Sequence, residues 1–106
     1  MSAPRAAIAA DRIWDGEMMG LRIDGVAVLI VRAGGALRAY RDACAHQGVP
    51  LSEGTLEGTT LTCRAHGWCY DVATGRGINP CDARLVPLAI EVRDGQVLVD
   101  ARGVTA

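Results

Sequence analysis

The sequence predicts an all-β fold, an antiparallel sandwich or barrel formed by one small domain. Three observations point there. Short apolar segments alternate with turn residues along the whole 106-residue chain, the rhythm of strands joined by tight connections. Helical periodicity is weak throughout. The 13 Gly are spread along the chain rather than clustered, so the turns are distributed too.

Taken in order, the first segment, Ala6 to Ile13, is the best candidate for a helix. Val26 to Val31 is a continuous apolar run, consistent with a buried strand. Gly34-Gly35 is a turn signal, and Leu37 to Tyr40 is the expected partner strand. Thr59 to Thr62 is β-branched and leads into Cys63. Near the C-terminus, Leu88 to Val92 and Val97 to Val99 flank Asp94-Gly95. That dipeptide predicts a two-residue hairpin, because both turn residues must take positive φ. No internal repeat, low-complexity stretch or linker divides the chain. One domain over residues 1–106 is expected.

Composition narrows the function. Half the residues are hydrophobic, yet there is no Phe and only two Trp and two Tyr. The core must be built from Val, Leu, Ile and Ala. Eleven Arg, no Lys and twelve acids leave a net charge of −1, which argues against a nucleic-acid partner. The longest apolar run is far too short to span a membrane. The Ala-rich start lacks an apolar stretch long enough for a secretory signal, so a cytoplasmic location is expected.

The chain has four Cys and two His, and both His sit beside Cys. The pairs are Cys44-Ala45-His46 and Cys63-Arg64-Ala65-His66, with sixteen residues between His46 and Cys63. A single Cys or His is most often a small buried apolar residue or a surface imidazole. Two Cys-His pairs that use every His in the chain are harder to set aside. Two thiolates and two imidazoles suit zinc or an iron–sulfur cluster. Zinc fingers usually group Cys with Cys and His with His. Here each loop offers one of each. In a Rieske centre, two Cys hold one iron and two His hold the other. Cys-x-His, sixteen residues, then Cys-x-x-His has that pattern.

From about Asp11 to Val99 the chain resembles Rieske-type [2Fe–2S] ferredoxins. Within that family it is most similar to the ferredoxin components of diiron monooxygenases of the toluene 4-monooxygenase type. The matching stretches are Ile13-Trp14-Asp15-Gly16-Glu17-Met18, Leu51-Ser52-Glu53-Gly54, Leu61-Thr62-Cys63-Arg64-Ala65-His66 and Gly75-Arg76-Gly77-Ile78-Asn79-Pro80. The resemblance implies the Rieske iron–sulfur fold, with a cluster-binding subdomain at about 42–82 inserted in a larger β core. It implies a Rieske-type [2Fe–2S] cofactor held by Cys44, His46, Cys63 and His66. It implies a monomeric electron carrier, not an enzyme. The carrier would pass single electrons from an NADH-dependent flavin and iron–sulfur reductase to a diiron hydroxylase acting on an aromatic or alkene hydrocarbon. The ferredoxin of a ring-hydroxylating dioxygenase is the nearest alternative. Those typically read Cys-Pro-Trp-His where this chain has Cys63-Arg64-Ala65-His66. A small zinc-binding structural module is the alternative of another class.

With two thiolates the oxidised cofactor is neutral, whereas four would leave it doubly negative. Electron uptake is correspondingly easier, and Rieske potentials span roughly −150 to +300 mV against about −400 mV for plant-type ferredoxins. High-potential Rieske proteins carry two further Cys that bridge the loops; Val49 and Ala65 stand there in this chain. They also carry a Ser that bonds a sulfide, where this chain has Trp68. A potential near the low end of the range is therefore expected. Tyr70 dissents, since it occupies the position of a Tyr that bonds a ligand sulfur, unless its phenol faces solvent here. Gly48, Gly67 and Pro80 are expected to shape the loops, and Gln47 to lie near the exposed tip as a docking contact. Arg64 would attract an acidic partner or merely solvate the loop. Trp14 and Trp68 are expected to pack rather than relay electrons. Cys69 is read as a structural or surface thiol, and Cys81 as an exposed one.

Overall fold

The computed structural model describes residues 5–43, 49–64, 67–79 and 83–100, with backbone only for 5–7. The described residues form ten strands in two antiparallel sheets. The larger sheet comprises β1 (Arg5–Ala9), β2 (Glu17–Ile23), β3 (Val26–Ala33), β4 (Ala36–Arg41), β9 (Pro87–Arg93) and β10 (Gln96–Asp100). Their spatial order is β1-β10-β9-β4-β3-β2. The sheet curls until its edge strands β1 and β2 approach each other. The smaller sheet, β5-β6-β7-β8, is built from Thr55–Glu57, Thr60–Thr62, Cys69–Asp71 and Arg76–Asn79. It is an insertion, because β4 and β9 pair directly through Ala39 with Leu88 and Tyr40 with Pro87.

The continuous apolar run in β3 has a physical reason. Side chains of a strand alternate between faces, and here both faces are covered. Val28 and Ile30 point into the curled sheet with Ile13, Ile23, Leu88, Val97 and Val99. Leu29, Val31 and Ala33 point the other way, against Leu61 and Tyr70 of the inserted sheet and Val72 just after β7. β4 divides likewise, with Ala39 in the first core and Tyr40 in the second. A strand buried on both sides reads as unbroken hydrophobicity rather than alternation.

Tyr40 also ties the sheets together. Its hydroxyl donates to the Val72 carbonyl at 2.5 Å. Its ring lies against Gly75, where a Cβ would approach Tyr40 Cε1 to 3.3 Å. Gly75 has φ +81 and closes the turn between β7 and β8.

The hairpin at Asp94-Gly95 forms as expected, with φ of 53 and 76. Asp24-Gly25 joins β2 to β3 by the same chemistry, with φ of 52 and 80. The first segment differs from expectation. Ala6 to Ile13 is not a helix but the end of β1 followed by a 3-10 turn, Ala10–Arg12. A helix of that length is marginal by itself, whereas β1 completes the ladder beside β10. Arg32 fixes the turn by donating to the carbonyls of Ala10 at 2.9 Å and Ile13 at 2.8 Å. Among the described residues no helix is long and apolar enough to cross a membrane.

Candidate metal centre

Two loops carry the Cys-His pairs, and their ends lie on opposite sides of one short segment. The first loop leaves β4 at Asp42 and returns at the 3-10 turn Leu51–Glu53. Asp42 is 7% exposed. Its carboxylate accepts from Ser52 N at 2.8 Å and from Ser52 Oγ at 2.6 Å. One side chain thus joins the entry of this loop to its exit. Gly20 of β2 passes beneath. A Cβ there would fall 2.5 Å from Ser52 Oγ and 2.6 Å from Asp42 Oδ2. Leu51 anchors the turn from below and is completely buried in the core between the sheets.

The second loop joins β6 to β7. Cys63 N donates to the Trp68 carbonyl at 2.7 Å, closing the loop, and Gly67 turns it with φ +67. Cys63 is 1% exposed and shares its core with Leu61, Tyr70, Leu51 and Tyr40. The two loops meet at Gly54. A Cβ on Gly54 would lie 2.1 Å from the Thr62 carbonyl oxygen, so the backbones touch at this point. At the surface, Arg64 Nε donates to Glu53 Oε1 at 2.6 Å, a second link between the loops.

Cys44, His46, Gln47, Gly48, His66 and Pro80 lie outside the described residues, as do Ala65 and Cys81. Among the described residues no group of three or more His, Cys, Asp or Glu is placed to hold a metal. The described frame nonetheless suits a thiolate-held cluster. Cys63 stands in an apolar setting at the mouth of a closed loop, and Asp42 and Ser52, which flank the other Cys-His pair in sequence, are bonded to each other. A soft donor with little water access is the setting iron–sulfur ligation needs.

Tyr70 is fully buried, so its phenol does not face solvent. Trp68 is half-buried and packs against the same core. Trp14 departs from the expected packing role. It is 72% exposed, held by a bond from its Nε1 to the Asp11 carbonyl and by one from its backbone N to Glu17. It stands beside Gly35, at the far end of β4 from Asp42. Six strand residues, roughly 20 Å, separate those ends. Arg64 serves Glu53 of its own chain, a partner the sequence reading missed. Cys69 is not in a disulfide; its Sγ lies 3.3 Å from the Gly67 carbonyl and 3.6 Å from Thr62 Oγ1. Asp42, Gly20 and Ser52 were also missed as supports, because nothing local marks a carboxylate that bonds a residue ten positions on.

The Rieske [2Fe-2S] domain model matches residues 4–93 of the chain. This protein belongs to the Rieske [2Fe–2S] domain family. The cofactor of that family is a Rieske-type [2Fe–2S] cluster, and both loops fall within the match. Among individual Rieske proteins, the chain is 41% identical to the ferredoxin component of the alkene monooxygenase system of Xanthobacter autotrophicus, over 86% of this chain and 75% of that one. It is 35% identical to the ferredoxin CarAc of Metapseudomonas resinovorans, over 74% of each chain. Its fold superposes with a TM-score of 0.84 on a chain of a complex of reduced oxygenase and oxidized ferredoxin in carbazole 1,9a-dioxygenase. The identity there is 30%, with 95% of both chains covered.

Proposed function

We propose that Cys44 and Cys63 hold one iron of the cluster, that His46 and His66 hold the other, and that this Rieske protein is a ferredoxin. It carries single electrons from an NADH-dependent flavin and iron–sulfur reductase to the diiron hydroxylase of a hydrocarbon monooxygenase. The observation that carries this reading is the meeting of the two Cys-His loops at Gly54 and Thr62 inside a Rieske match. The cluster-binding unit is residues 42–82, set within one domain of 1–106.

When bound, the cluster takes up and gives back one electron. The residues of the chain do the rest. Cys63 presents its thiolate from the protein interior. Leu61, Leu51 and Trp68 limit water around it, and a lower dielectric raises the weight of every nearby dipole and charge. Gly67 allows the second loop to turn back, and Gly48 and Pro80 are assigned loop-shaping roles on the resemblance alone. Gln47 follows the first His ligand and is assigned to partner docking. The protein catalyses no reaction on the hydrocarbon; that chemistry belongs to the hydroxylase. It acts as a cytoplasmic monomer.

The 41% identity to an alkene monooxygenase ferredoxin favours a monooxygenase system. The likeness to the ferredoxin of carbazole 1,9a-dioxygenase from Nocardioides aromaticivorans, over 92% of this chain and 97% of that one, supports a dioxygenase system as the second reading. Turnover assays with purified hydroxylases of both classes discriminate the two. The ligand set is tested on the purified protein itself. It is expected to be red-brown, to bleach with dithionite, and to give the reduced-state EPR spectrum of mixed Cys and His ligation. His46→Cys or His66→Cys should remove that spectrum. Colourless protein with stoichiometric zinc overturns the assignment.

A further inference from the structure

We infer that the tripeptide Ser52-Glu53-Gly54 is a latch that sets the two ligand loops in register, with Asp42 as its positioning residue. The inference rests on the ligand assignment above. Three consecutive residues make three different connections. Ser52 gives both its backbone N–H and its hydroxyl to Asp42, at the entry of the first loop. Glu53 takes the Arg64 guanidinium, within the second loop. Gly54 lays its backbone on the Thr62 carbonyl, one residue before Cys63, where no side chain fits.

These links differ in strength. Arg64 and Glu53 are exposed over half their side-chain surface, so salt screens them and the pair adds little. The Asp42 carboxylate is buried and bonded twice by one residue. Removing it strands the Ser52 N–H, and a stranded donor in a partly buried site is costly. Gly20 has no Cβ to push the clasp open. Asp42 lies two residues from Cys44, within about 7 Å along the backbone, so movement at the clasp is passed directly to a ligand. The latch holds position; it makes no bond to the iron.

The test uses the cluster-loaded protein as wild type, Asp42→Ala, Asp42→Asn and Ser52→Ala. Tyr40→Phe is the control, since it removes a bond to Val72 outside both loops. Two properties are read: the rate at which visible absorbance is lost to an excess ferrous chelator, and the linewidth of the reduced-state EPR signal. Asp42→Ala should lose its cluster about tenfold faster and show a broadened signal. Asp42→Asn keeps an acceptor for Ser52 N–H and should stay within about threefold of wild type, with an unbroadened signal. Tyr40→Phe, compared at the same interval below its own melting temperature, should match wild type in both readouts. The latch is overturned if Asp42→Ala then behaves as Tyr40→Phe does. If Asp42→Ala does not fold, Ser52→Ala decides, with about threefold faster loss expected and a rate equal to the control overturning the proposal. A wild type without the mixed-ligand signal would instead refute the ligand assignment, and the latch with it.

Discussion

Tyr70 shows what burial adds at the scale of one residue. Its ring is fully enclosed in the core that holds Cys63, so its hydroxyl cannot be a surface group. A donor near a ligand sulfur stabilises the extra negative charge of the reduced state and raises the potential. With the Tyr70 hydroxyl as that donor, the role the resemblance implies, Tyr70→Phe lowers it. A bond worth about 1 kcal/mol corresponds to about 40 mV for one electron. Protein-film voltammetry reads the shift, and an unchanged potential would assign Tyr70 to packing alone. The Cys-His pairs stood out as a candidate donor set because their residue types and spacing are local. Asp42 and Glu53 were not, since their roles depend on partners ten and eleven residues away.

At the scale of elements, turn chemistry was the readable part. Asp94-Gly95 marked its hairpin because few residues accept two successive positive φ values. Asp24-Gly25 carried the same mark, but Gly20 and the two Met of β2 blurred the alternation before it. Ala6 to Ile13 was only the best helix candidate because a short Ala-rich stretch has no strong period, and β1 pairs with a strand about ninety residues further along. β2 also supplies the floor of the first loop. Gly20→Ala would drive a methyl into Ser52 and Asp42, and overpacking of this kind costs about 1–3 kcal/mol. A lower urea midpoint and faster cluster loss are expected together. A variant with wild-type values of both would mean that the clasp yields without cost.

At the scale of the whole molecule, Tyr40 links the curled sheet to the inserted one. Burial raises its phenol above the ordinary value; Arg38 pulls it back and Asp71 pushes it up again. The neutral form is therefore favoured by folding. Its contribution is complete below the unfolded value of about 10 and is lost as pH rises from there toward the higher folded value. Tyr40→Phe should be less stable by about 0.5–1.5 kcal/mol at neutral pH. It should also lack this part of the alkaline decline, so that the two stability curves converge above about pH 10. Urea unfolding at a series of pH values measures both curves.

The sequence by itself determined the β character, the hairpin turns and two Cys-His pairs set sixteen residues apart. Those properties depend on residue type and on spacing within a few positions. Only the tertiary structure decided that β3 is buried on both faces, that β4 and β9 join across the inserted sheet, and that Ser52, Glu53 and Gly54 hold the loops together. Those depend on which groups meet after the chain has folded back, and hydrophobic period carries no record of a hydrogen bond or of a missing Cβ.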